Sequence, residues 1–234
     1  MTDNPEEPQR VLGLPIPAGR SLRTGEEEQR VLGFPQSWLR QPARSRSGSL
    51  LAGVRVTDAE RQAARPGDQL VEPADVVMDR AFTVAAAPEA VWPWLLQLGK
   101  RRAGWYLPAR AERFLPAGRR AARALNPAWL GLQAGDVIPD YGGQHATFEV
   151  AQISPPHSLV YRSRRGRTSV SWSLILEPAA ADGSSTRVLA RLRLAPVRHR
   201  WLARTAGELA DLLTIAGLAA GLRERVAGRP PVRG

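Results

Sequence analysis

The chain has 234 residues and a mass of 25.5 kDa, enough for one or two domains with a sizeable core. It has no cysteine and only three well-separated histidines, His145, His157 and His199. That excludes disulfide frameworks, thiolate metal sites and cysteine nucleophiles, and leaves no histidine pair at metal-ligand spacing.

The 33 basic residues outnumber the 22 acidic ones, for a net charge of +11, and Lys100 is the one lysine. Such a balance attracts polyanions. The arginines are spread along a chain rich in Ala, Gly and Pro, so the excess reads first as composition rather than as a nucleic-acid patch. Nucleic acid and anionic membrane are the less favoured partners. The longest apolar stretch, Leu212 to Leu222, is short and broken by Thr214, Gly217 and Gly221. No basic start followed by an apolar run opens the chain, so a soluble cytoplasmic protein is expected.

Residues 1–67 carry breakers and arginines and read as a disordered or weakly structured tail and linker. Within them Glu6-Glu7-Pro8-Gln9-Arg10-Val11-Leu12-Gly13 recurs as Glu26-Glu27-Glu28-Gln29-Arg30-Val31-Leu32-Gly33. Two copies do not make a solenoid. Drift by duplication in a tail is the favoured reading, and a docking motif is the other. Arg40 to Ser49 reads as a flexible linker, and Leu50 to Arg65 as a marginal helix stopped by Pro66-Gly67. Removing residues 1–67 is therefore expected to leave melting nearly unchanged.

The texture changes at Asp68. Val76 to Val84 is β-branched and partly alternating, a strand. Ala87-Pro88-Glu89 opens a helix to about Leu98, with Val91, Trp94, Leu95 and Leu98 at helical spacing and Gly99 at its end. Short helices are expected over Arg110–Leu115, Arg119–Leu125 and Ala128–Leu132.

Strands follow at Asp136–Pro139, Thr147–Ile153, Leu159–Ser163, Thr168–Leu176 and Thr186–Leu194. The last two alternate clearly. Val170, Trp172, Leu174 and Leu176 face one way, and Ser169, Ser171 and Ser173 the other. Val188, Ala190, Leu192 and Leu194 point inward, and Arg187, Arg191 and Arg193 outward. That pattern predicts an antiparallel sheet with one buried and one wet face. Arg200 to about Val226 is a long helix with a stripe at Leu202, Ala206, Leu209, Leu213, Ala216 and Ala220. Glu208 and Asp211 sit opposite the later Arg223 and Arg225. The order predicts an α+β domain over 68–228, a curved sheet covering the C-terminal helix, with a flexible end at 229–234.

The segment Asp79 to Leu95, with Ala87-Pro88-Glu89-Ala90-Val91-Trp92-Pro93-Trp94-Leu95 at its centre, resembles the opening of the START-like, Bet v 1-like superfamily. Bacterial members are labelled SRPBCC or polyketide cyclase/dehydrase proteins. Gln97-Leu98-Gly99, Arg102 to Tyr106, Leu132 to Asp136 and Ser171 to Pro178 resemble an actinobacterial branch. The resemblance covers about 68–228. It implies a helix-grip fold enclosing an apolar cavity between the sheet and the C-terminal helix, and it does not fix chemistry.

Trp105 and Tyr106, after the first helix, are candidates for the cavity mouth, and Phe148, Tyr161 and Trp172 for inward strand positions. Plain core packing competes with ligand contact at each of them. Asp136, Asp140, His145 and His157 all sit beside Gly or Pro turns, and turn chemistry accounts for them. No catalytic set, metal or cofactor is assigned. Gly142-Gly143 beside Tyr141 marks a loop that can gate an entrance. The clusters at Lys100–Arg102, Arg119-Arg120, Arg164–Arg167 and Arg198–Arg200 read as solvated loop charge. The leading expectation is a carrier of a small hydrophobic, lipid- or polyketide-like molecule. A cyclase or dehydratase, and an arginine-surface interaction protein, are the rivals. Oligomeric state is left open.

Overall fold

The computed structural model describes residues 53–199, 201 and 203–228. The duplicated motif, the linker at 40–49, Leu202 and the C-terminal residues 229–234 lie outside the described residues. The chain forms α1 (Asp58–Gln62), β1 (Val76–Val84), α2 (Pro88–Gln97), α3 (Ala109–Glu112), β2 (Val137–Pro139), β3 (Thr147–Ser154), β4 (Ser158–Arg165), β5 (Thr168–Pro178), β6 (Thr186–Ala195) and α4 (Glu208–Val226). The six strands make one antiparallel sheet in the order β1-β6-β5-β4-β3-β2. β3 carries a bulge between Val150 and Gln152, a device that bends a strand.

The alternation holds strand by strand. Phe82, Val150, Leu159, Val170, Leu174, Val188 and Leu194 join one core with Ile215, Leu218 and Leu222 of α4. Pro88 stands in the first turn of α2 and Pro93 is accommodated within it. Trp92 and Trp94 are buried, as structural residues should be. The expected helix at Arg119–Leu125 is only a 3-10 turn, Ala117–Arg119. Another 3-10 turn, Pro127–Trp129, is capped by Asn126, whose Oδ1 accepts from the Ala128 amide at 3.0 Å.

Two expectations fail for a physical reason. The outer face of the sheet is not wet over β5 and β6: Ser171, Ser173 and Arg191 are buried. The cover is the segment from Val54 to Val71, so the folded unit begins before the break placed at residue 67. α1 is locked by a capping box between Thr57 and Glu60. Val56 packs on Ala81, Ile175 and Leu189. Gly67 passes so close to the sheet, at φ +91°, that a Cβ would stand 2.5 Å from Val160 Cγ1.

The outward arginines clamp this strap. Arg187 binds Glu60 with its Nε at 2.7 Å and gives Nη2 to the Arg55 carbonyl at 2.7 Å. Arg191 pairs with Asp79 at 2.6 Å and Asp68 at 2.8 Å, and donates to the Ala63 and Arg61 carbonyls at 3.0 and 2.7 Å. Arg193 donates to the Val71 carbonyl at 3.1 Å, and Arg65 reaches Glu177.

The stripe on the last helix is also rotated. The buried side of α4 is Asp211, Thr214, Ile215, Ala216, Leu218, Ala219, Leu222 and Arg225, so Ala216 of the expected stripe does face the core while Leu209 and Leu213 are half-exposed. A π-helical turn, Ala203–Gly207, interrupts the period along which the stripe was extended. Gly221 then lets the helix touch the chain at Tyr106-Leu107: a Cβ there would meet the Leu107 nitrogen at 2.6 Å. Arg225 is buried, pairs with Glu112 at 2.6 Å, donates to the Leu107 carbonyl at 3.0 Å and lies 4.4 Å over the Tyr106 ring. Thr205–Val226 is long and apolar enough to cross a membrane, and half of its most apolar stretch is buried inside the fold, as in a core helix.

Candidate functional site

Between the inner sheet face, α4 and the loops after α2 lies a cavity of about 780 Å³. Its wall begins with the turn after α2, where Gly99 and Gly104 exchange backbone hydrogen bonds of 3.2 and 2.9 Å. This turn projects Lys100, Arg101 and Arg102 and delivers Trp105 to the cavity.

The aromatic wall is built from three separate elements. Trp172 of β5 stacks on Trp105 at 5.8 Å between ring centroids and on Tyr161 of β4 at 5.6 Å. Phe148 of β3 lies 6.0 Å from Trp172 and 5.7 Å from Tyr161. The Trp105 indole N–H reaches the Thr214 carbonyl at 3.4 Å, tying the ring to α4. Together these rings present an apolar aromatic surface.

Of the five expected contacts, Trp105, Phe148 and Trp172 line the cavity. Tyr161 and Tyr106 do not. Tyr161 is buried behind Trp172 and supports it from below. Tyr106 turns into the core, where its hydroxyl donates to the Trp94 carbonyl at 2.8 Å and its ring meets Trp94 edge-on at 6.0 Å. Burial raises both phenols above their ordinary range, so neither ionises near neutral pH.

Other lining residues were not foreseen. Lys100, Arg101, Arg102, Arg119, Arg120 and Arg165 all border the cavity. Arg165 sits there because β4 runs two residues further than expected, which carries the Tyr161 and Ser163 alternation on to position 165. It pairs with Asp140 and lies 5.2 Å over the Phe148 ring. Asp140 also accepts from the Tyr141 amide at 2.7 Å and the Gly142 amide at 3.2 Å. Lys100 donates to the Asp140 and Gly143 carbonyls at 3.0 and 3.2 Å, which secures the Asp140–Gly143 loop at the rim. Asp136 caps its own turn by accepting from the Gln133 amide at 2.8 Å. His145 and His157 are exposed and do not border the cavity.

One carboxyl enters the cavity from the helix side. Asp211 of α4 is buried, and its Oδ2 stands 3.0 Å from Arg80 Nε of β1, close enough to pair but misaligned for a hydrogen bond. Burial pushes the carboxyl up to about 6; Arg80 opposes this, and Glu208 and Asp79 add to it. The signal was present in the sequence. Asp211, Ile215, Leu218 and Leu222 recur at steps of four, three and four, which puts the acid on the buried stripe. Among the described residues, no group of three or more Asp, Glu or His converges as a metal site would require.

No protein-family model matches the chain, and no curated protein sequence does. Similar solved structures include the hypothetical protein jhp0584 from Helicobacter pylori, with TM-score 0.46 and 15% identity over 69% of this chain and 94% of that one. CalU16 from Micromonospora echinospora gives TM-score 0.36 and 14% identity over 64% of this chain and 83% of its own. The Aha1 dimer protein from Colwellia psychrerythraea gives 0.37 and 12% over 64% and 98%. A curved antiparallel sheet holding one long C-terminal helix is the α+β helix-grip arrangement, and that is the fold of this chain.

Proposed function

We propose that the protein binds or carries a small hydrophobic molecule in the cavity between the sheet and α4, as a helix-grip protein of the START-like type. The observation that supports this most is the wall of Trp105, Trp172 and Phe148 around about 780 Å³, a volume suited to one small ligand. The Trp172 ring belongs to the site rather than to the sealed core, because it is only partly buried while Tyr161 beneath it is fully so. A neutral aromatic probe, 1-pyrenebutanol, tests this by fluorescence titration. The native protein should bind it saturably, and Trp172→Ala should weaken binding about tenfold through loss of ring stacking and apolar contact. Absence of saturable binding, or an unchanged affinity in the variant, overturns the reading.

A second reading rests on Asp211. A buried cavity carboxyl titrating at about 6 is able to exchange a proton with a ligand near neutral pH, as a cyclase or dehydratase requires. Its ionic partner is Arg80, and the cavity's other carboxyl, Asp140, is held by Arg165 at the rim, so no acid–base pair converges and we favour the carrier. The arginine-surface reading has less support, because Lys100, Arg101, Arg102, Arg119, Arg120 and Arg165, from three of the four clusters it draws on, border the cavity.

A further inference from the structure

We propose that the ligand of this cavity is an anionic amphiphile, an apolar, ring-bearing body with one carboxylate, and that Arg102 receives the carboxylate. The proposal rests on the cavity being a binding site for a small apolar molecule and adds the charge that molecule carries.

The observations are electrostatic and geometric. Six cationic side chains border the cavity, against two carboxylates, Asp140 and Asp211. Both acids are already engaged inside the protein, Asp140 with Arg165 and Asp211 with Arg80. Lys100, Arg101, Arg102, Arg119 and Arg120 therefore leave an excess of positive charge around an aromatic wall. A neutral ligand would leave that charge facing an apolar molecule; an anion satisfies it.

Arg102 is the particular receiver. One of its terminal nitrogens, Nη2, is held by the Leu96 carbonyl at 2.9 Å and by the Trp129 carbonyl. These bonds fix the guanidinium beside the cavity. Its Nε–H is buried and has no acceptor among the described residues. The Nε–H lies below the cavity surface, so a carboxylate would meet the guanidinium at Nη1, which makes no hydrogen bond among the described residues, through a charge-assisted bond. Next to it, Arg101 adopts φ +60°, a left-handed conformation rare outside glycine. Strained residues of this kind cluster at ligand clamps. Arg101 and Arg119 are exposed at the rim, placed to draw an anion in before Arg102 receives it.

Two probes with one body separate charge from apolar fit: 1-pyrenebutanoic acid and 1-pyrenebutanol, titrated by fluorescence against the full chain. The acid should bind about tenfold or more tightly than the alcohol. The gap should narrow as salt rises from about 0.02 M to about 0.5 M. In Arg102→Gln the preference should fall to within about threefold, with the alcohol affinity retained as proof that the cavity is intact. If that variant loses the alcohol as well, Arg101→Gln with Arg119→Gln, both at exposed positions, should still lower the affinity for the acid alone. Equal affinity for acid and alcohol in the native protein overturns this inference and leaves the carrier reading standing. Saturable binding of neither probe overturns the carrier reading, and the inference with it.

Discussion

Asp211 shows how one residue's environment sets its chemistry. A carboxyl on an exposed helix face would titrate in the ordinary range, but here burial beside α4 and β1 lifts it to about 6. A folded-state value above the unfolded one favours the protonated native protein. The associated stability is fully present below the unfolded value of 3.8 and is lost as pH rises through about 6. Thermal unfolding of the native protein and of Asp211→Asn should therefore diverge with pH. Between about pH 7.5 and about pH 5 the native protein should gain about 1 kcal/mol relative to the variant. A difference that stays flat over that interval would show that Asp211 titrates in the ordinary range. The same residue marks a limit of reading the chain alone. Leu209 and Leu213 offered as good a stripe as Ile215, Leu218 and Leu222, and which side faces inward was decided by the π-helical turn and by the close approach at Gly221.

At the scale of elements, the strap over the outer face is the main addition to the expected plan. Strand alternation told which side of β5 and β6 faces the helix, and Val170, Trp172, Leu174 and Leu176 do so. It could not tell whether the other side meets water or another segment, because Ser171, Ser173 and Arg191 are polar in either case. Ser173 donates to the Pro66 carbonyl and Arg191 to the Ala63 and Arg61 carbonyls and to Asp68, contacts over long sequence separations that no local pattern carries, while the buried Ser171 hydroxyl has no partner among the described residues. The strap buries Val54 and Val71 and neutralises part of the arginine charge on the sheet. A chain beginning at residue 68 should melt well below one beginning at residue 53, by a loss of about 3 kcal/mol or more, since Arg187 is stripped of its carboxylate and the buried Arg191 of backbone acceptors. Equal melting of the two would mean that the strap contributes nothing to the sheet.

For the whole molecule, the plan of a sheet around a helix was legible because both elements are amphipathic and the strands arrive in an unbroken run. The aromatic half of the cavity was legible too, since Phe148 and Trp172 sit on inward positions and Trp105 follows the helix that starts the wall. The charged half was not. Lys100 with Arg102, Arg119, and Arg165 come from three separate stretches of the sequence, and only the fold gathers them around one space. Tyr161 does not border the cavity because alternation marks a side chain as inward without saying how deep it lies, and Tyr106, on the loop after α2, turns into the core onto the Trp94 carbonyl.

The central claim is that this gathered space holds a ligand against Trp105 and Trp172. Two-dimensional NMR of the indole N–H signals during titration with 1-pyrenebutanol tests it most directly, with each signal assigned by Trp→Phe substitution. The account predicts that the Trp105 and Trp172 signals move together and saturate, while those of Trp92 and Trp94, packed in the core, stay in place. Saturable binding with the Trp105 and Trp172 signals unmoved would place the ligand elsewhere and contradict the account.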